Sequence, residues 1–167
     1  MELKGRKQAL MKRLAALALL VLLLMLSACT AGENGQTIAG ELPEILDRIY
    51  DTVDVDDATR GFLKTGLVTT DVASQSIGDY LGLADMPEAQ AVASEPVSEE
   101  IPFFVCLMRI SGGTNLERFR KSLYQAVSLA CAGAQEAVRV ESEGDLVLLV
   151  MAENADKYAQ AFFALAE

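Results

Sequence analysis

No histidine occurs anywhere in the 167 residues. That removes the Ser-His-Asp and Cys-His arrangements, the common catalytic zinc sites and the side chain best suited to general-base work near neutrality. Tryptophan is missing too, which argues against a platform for stacking carbohydrate. Basic residues are scarce and unevenly placed: five of the fourteen Lys and Arg lie in the first thirteen positions. Beyond Ala28, nine basic residues face 23 acidic ones, a formal charge of −14 against −10 for the whole chain. No basic patch with interleaved aromatics is present, so nucleic-acid binding is excluded. A body this acidic is also repelled by anionic head groups. Long apolar runs are lacking as well. The longest, Leu14 to Leu26, has 13 residues, where a membrane-spanning helix needs about 20.

What is present at the start is a secretory pattern. Lys4, Arg6, Lys7, Lys12 and Arg13 precede the short apolar run, and small residues follow it; together these make a signal peptide over residues 1–28. Its end, Leu26-Ser27-Ala28-Cys29, resembles the lipobox of bacterial lipoproteins. The resemblance implies cleavage before Cys29 and a diacylglycerol on its thiol. Further acylation of the new amino terminus would supply the several chains that stable anchoring requires. Thr30, not Asp, follows the cysteine, so the usual inner-membrane retention signal of two-membrane bacteria is missing. The expected location is the outer face of the cell membrane. Residues 29–40 then read as the acylated cysteine and a flexible, Gly-rich tether, and residues 41–167 as one domain.

Within that domain, Leu42, Ile45, Leu46, Ile49 and Val53 form one helical stripe over Glu41 to Val53. The acids Asp51, Asp54, Asp56 and Asp57 stop it. They fail the calcium-loop template, with Ala58 in place of an acid and Thr59 in place of glycine, and read as a solvated turn. Gly61 to Val68 is a short strand or irregular. Val72 to Leu81 reads as a helix capped by Thr70 or Asp71, with Gly82 at its left-handed end. Strands are expected at Glu88–Glu95, Ile101–Ile110, Glu136–Glu141 and Leu146–Met151, with a hairpin turn at Ser142 to Asp145. Thr114 to Ala132 is the longest helix, opened by a capping box from Thr114 to Glu117. A last helix runs from an Asn154 cap to Leu165. The fold class is α+β: an antiparallel four-stranded sheet, β-β-α-β-β-α, with the helices packed on one face.

Two stretches carry a further resemblance. Ala93-Ser94-Glu95-Pro96 leading into Val105-Cys106-Leu107-Met108-Arg109-Ile110 is one, and Gly144 to Met151 followed by a helix is the other. With the lipobox and the size, they resemble the small Gram-positive lipoproteins known as the domain of unknown function 4358 family. The resemblance spans roughly Leu42 to Leu165. It implies location and fold but no chemistry, because that family has no established activity.

Candidate chemistry is thin. Cys106 and Cys131 either form a disulfide outside the cytoplasm or remain two buried thiols. Arg109, the lone charge of an apolar strand, either meets a ligand carboxylate, pairs with Glu95, or reaches solvent. Glu95-Pro96 reads as the start of a turn, and Glu95 and Arg109 are the only binding candidates. Asp56, Asp57, Glu99 and Glu100 are the carboxylates a hydrolase would have to use, but no nucleophile stands beside them. No catalytic residue, metal or cofactor is expected. The reading that follows is a monomeric binding or accessory module for a protein or small ligand, held to the membrane through lipid on Cys29. A structural or assembly protein of the envelope is the alternative, and a carboxylate-dependent hydrolase a more distant one.

Overall fold

The computed structural model describes residues 37–98, 101–130 and 137–166. The signal peptide, Cys29, Glu99, Glu100 and Cys131 lie outside the described residues. All that follows concerns the unit Gly35–Glu167.

The described residues form five α-helices and five strands. They are α1 (Leu42–Thr52), α2 (Asp57–Thr65), β1 (Leu67–Val72), a 3-10 turn (Ser74–Ser76), α3 (Ile77–Leu81), β2 (Ala89–Pro96), β3 (Phe104–Ile110), α4 (Leu116–Ala130), β4 (Val138–Glu143), β5 (Leu146–Met151) and α5 (Ala155–Ala164). The strands form one antiparallel sheet in the order β1-β2-β3-β5-β4. The fold is α+β as expected, but the sheet has five strands, not four.

The fifth strand replaces two expected features. Gly61 lies in α2, which opens where Asp56 accepts a hydrogen bond from the Thr59 N–H at 2.8 Å. The acidic run thus starts a helix as well as ending one. Arg60 of α2 donates to the carbonyls of Tyr50, Asp51 and Val53, satisfying the open end of α1. Gly66 ends α2. The β-branched run that follows pairs with β2, from Leu67↔Pro96 to Val72↔Ala91. Thr70 and Asp71 are therefore strand residues, and only Ile77–Leu81 of the expected second helix is α-helical. Gly82 does close it, with φ +69°.

The helices lie on both faces of the sheet, which corrects the one-faced packing. The reason is in β3 and β5, which are apolar on both faces and must be covered twice. Val105, Leu107, Leu146, Leu148 and Val150 pack with α1, α2 and α5 through Ile45, Leu46, Ile49, Leu63, Tyr158 and Phe162. Cys106, Met108, Val147 and Leu149, with Val138 and Val140 of β4, pack with α3 and α4 through Ile77, Leu81, Phe119, Leu123 and Val127. β3 runs parallel to β4, and α4 is the crossover between them; β5 returns into the gap through a Gly144-Asp145 turn with φ +58° at Gly144.

The packed body also reaches further back than Glu41. Ile38 is buried in the first core, so the folded body includes it.

Candidate functional site

Arg109 is on the last turn of the β3 pleat, facing the first core's side of the sheet. Its Nε lies 3.1 Å from Asp145 Oδ2, on the β4–β5 turn. Its Nη2 donates to the Gly40 carbonyl at 3.0 Å and to Ile38 at 3.5 Å. Arg48 holds the carbonyl between them, Ala39, at 3.1 Å. Arg109 is thus not paired with Glu95: it clasps the chain where residues 38–40 join the sheet. The register explains why. Arg109 pairs with Gln90 and Leu146, whereas Glu95 lies one residue past the Ser94–Val105 pair at the other end of β3. Five residues separate the two levels, roughly 17 Å of strand. An open cavity of about 460 Å³ beside the clasp is lined by Arg109, Asp145, Gln90, Glu88 and Ser74.

Glu95 and Pro96 are the last residues of β2 rather than the start of a turn. Glu95 is exposed, pairs with Val68 of β1 and lies beside Tyr80 of α3. Tyr80 packs on Phe104 with ring centroids 5.9 Å apart. Desolvation, then the charge of Glu95, push its phenol up to about 12. Apolar surface collects at this end of the sheet: Val68, Tyr80, Val97 and Ile101 are four of the six large apolar side chains exposed among the described residues. A cavity of about 530 Å³ opens beside them, walled by Ile101, Pro102, Phe103, Phe104 and Met151 with Glu153 among its lining. A second, of about 310 Å³, shares Pro102 and Phe103 and adds Phe62 and Tyr158. Phe103 is the shared wall; its ring meets Phe62 at 5.3 Å and Tyr158 at 5.9 Å, both edge-on.

Comparison with known proteins finds no matching family model, curated protein or solved structure.

The remaining candidates are accounted for locally. Asp56 accepts from the Thr59 backbone N–H on one oxygen and from its hydroxyl on the other, and these bonds hold its carboxyl below the usual range. Each oxygen accepts one bond from Thr59, which makes Asp56 the cap of α2. Asp57 is the first residue of α2. Cys106 has no exposed surface, is not bonded to another cysteine, and burial pushes its thiol up to about 12. Among the described residues no group of three or more His, Cys, Asp or Glu is placed to hold a metal, and no helix is long and apolar enough to cross a membrane. Three residues of these two poles escape a reading of the sequence: Ile38, Tyr80 and Asp145. Ile38 is one apolar residue in a polar stretch, and Asp145 looks like any hairpin-turn acid. The helical pattern of Val72 to Leu81 turns Tyr80 inward, whereas in the structure it is exposed and packs on Phe104 of β3.

Proposed function

We infer that this chain is a non-catalytic binding or accessory module on the outer face of a bacterial cell membrane, anchored by lipid on Cys29. The separation of the two poles carries the reading. The chain joins the sheet at Arg109, and the apolar surface of Val68, Tyr80, Val97 and Ile101 gathers at the far ends of the same strands, roughly 20 Å away. A tether attached at the first pole leaves the second clear of the point of attachment and open to a partner. Exposed apolar residues gathered at one end of a body favour an interaction site there. The capping of α2 by Asp56 supports a structural role for that carboxylate over hydrolysis, and the family resemblance supports the location. A body charge near −14 supports a monomer.

Two measurements on the full chain, expressed in a Gram-positive host, test the reading. Mass spectrometry of the mature amino terminus should find Cys29 carrying lipid mass. A photo-crosslinking side chain at Val97 or Ile101 should trap a partner, and the same group at Asp47 should not. A mature chain with unmodified Cys29 would remove the anchor. Turnover of a peptide or cell-wall substrate, abolished by Asp56→Asn, would replace binding with catalysis.

A further inference from the structure

The two edges of the sheet are built differently. β4 is a guarded edge. α4 and α5 flank it, Arg120 of α4 pairs with Glu141 at 3.0 Å, and Arg139 pairs with Asp156 of α5. Its alternating charges, Arg139, Glu141 and Glu143, further discourage another strand. β1, Leu-Val-Thr-Thr-Asp-Val, is less guarded, with Asp71 its one charge. It contains no lysine, arginine, proline or glycine, and Val68 through Asp71 are all exposed.

Its free hydrogen-bonding groups can be assigned. Val97 N–H donates to the Gly66 carbonyl at 2.9 Å, and Gly66 stands opposite Val97 by extension of the Leu67↔Pro96 register. Hydrogen-bonded pairs alternate along an antiparallel ladder. Val68, Thr70 and Val72 therefore bond to β2, while Leu67, Thr69 and Asp71 turn their N–H and C=O outward. Among the described residues no other backbone group bonds to those three.

The segment that builds this edge is acidic, with Lys64 at the end of α2 the cation just before it. From Thr65 to Met108 the chain contains no lysine or arginine and seven acids. Asp71 is on β1 itself, Glu95 stands across from Val68 on β2, and Asp79 and Asp85 are exposed nearby in sequence. The cations of the second half are concentrated instead on α4 and β4, where Arg120, Lys121 and Arg139 are all paired with acids.

We propose that β1 receives an extended, basic segment of a partner protein, which adds to the sheet as a sixth strand. Backbone bonds to Leu67, Thr69 and Asp71 hold it. A basic side chain opposite Asp71 makes a cross-strand ion pair on one face. On the other face, apolar residues extend the surface of Val68 and Tyr80. A second copy of this chain fits less well, because it brings the same acidic edge and net charge against itself. The proposal rests on the binding reading above and specifies its mode.

The test uses the full chain in nonionic detergent and three ten-residue peptides. The first alternates Lys with Val and Thr, the second carries Glu for Lys, and the third is the first with alternate backbone nitrogens methylated along one edge. The Lys peptide should slow amide exchange at Leu67, Thr69 and Asp71 at least tenfold and leave β4 amides unchanged. Thr69→Pro, tolerated on an edge because that N–H bonds to nothing within the fold, should weaken binding tenfold or more, as should Asp71→Lys. If Thr69→Pro does not fold, the methylated peptide removes the same bonds from the other side. Equal binding of the Glu or methylated peptide, protection confined to other elements, or indifference to Asp71→Lys would overturn the proposal. So would a dimer that Asp71→Lys disrupts, in favour of self-pairing. Crosslinking at Val97 that persists when every peptide fails would leave the binding reading standing and remove only this mode.

Discussion

Cys106 and Arg109 lie on one strand and face opposite layers, and their chemistry follows from that. Cys106 is enclosed by α4 and the sheet, and burial moves its thiol from 9.0 up to about 12. Thiolate is the reactive form, so native Cys106 should label with a maleimide far more slowly than the same chain in urea. Fast native labelling would mean that the second core opens readily. The shift also fixes a pH dependence. The unfolded thiol loses its proton above about pH 9, whereas the folded one keeps it to about 12. The folded state then binds more protons, so stability falls as pH rises through that window. Tyr158, raised to about 12 mainly by desolvation, adds in the same direction. A urea titration series from pH 8 to 12 should show a declining midpoint, and Cys106→Ala should make the decline shallower. The burial of Cys106 was readable from the apolar run around it. The partner of Arg109 was not, because Asp145 reaches it only through the register of β5.

At the scale of elements, type was easier to read than start. α4 is a case in point. Thr114-Asn115-Leu116-Glu117 has a capping-box spacing, yet Asn115 is the cap: its side-chain oxygen accepts from the Arg118 N–H at 2.8 Å. Thr114 instead donates to the Ser111 carbonyl at 3.4 Å. Two adjacent residues with capping side chains offer two registers, and packing of Phe119 and Leu123 selects one. Asn115→Ala should therefore cost about 1 kcal/mol and Thr114→Ala distinctly less, measured by chemical denaturation; the reverse order would restore the other register. β1 was illegible for a related reason. Thr and Asp are strand and cap residues alike, and only the partner strand β2 decides between them. Asp56 at the start of α2 gives a test with a pH sign. Hydrogen bonds from Thr59 hold its pKa below 3.8. Its stabilising effect is present above the unfolded value and is lost as pH falls through the lower, folded one. Asp56→Ala should lower the melting temperature at pH 7 and make little difference in strong acid.

For the whole molecule, the sheet with a core on each face means that no single helix layer defines the domain, and its N-terminal limit belongs to one of those cores. A Gly-rich polar stretch hides that limit. Ile38 contributes no periodicity to a sequence, and its burial depends on α1 and on Arg109 of β3 folding around it. The consequence is measurable. A chain beginning at Thr37 retains Ile38 and the Ala39 and Gly40 carbonyls that Arg48 and Arg109 hold. One beginning at Glu41 loses all of them and opens the floor of the first core. Ile38→Ala should cost about 2–3 kcal/mol, the lower part of the range for large-to-small core changes, and the shorter chain should lose at least as much. Arg109→Gln should destabilise the longer chain more than the shorter, because in the shorter one only Asp145 remains as a partner. Residues that share partners couple in this way, and a double-mutant cycle by urea unfolding reads the coupling directly. Equal stability of the two chains would place the limit at Glu41 and reduce Arg109 to a surface ion pair with Asp145. Coupling of the expected sign would establish that residues 38–40 are fixed to the sheet through Arg109 and belong to the folded body.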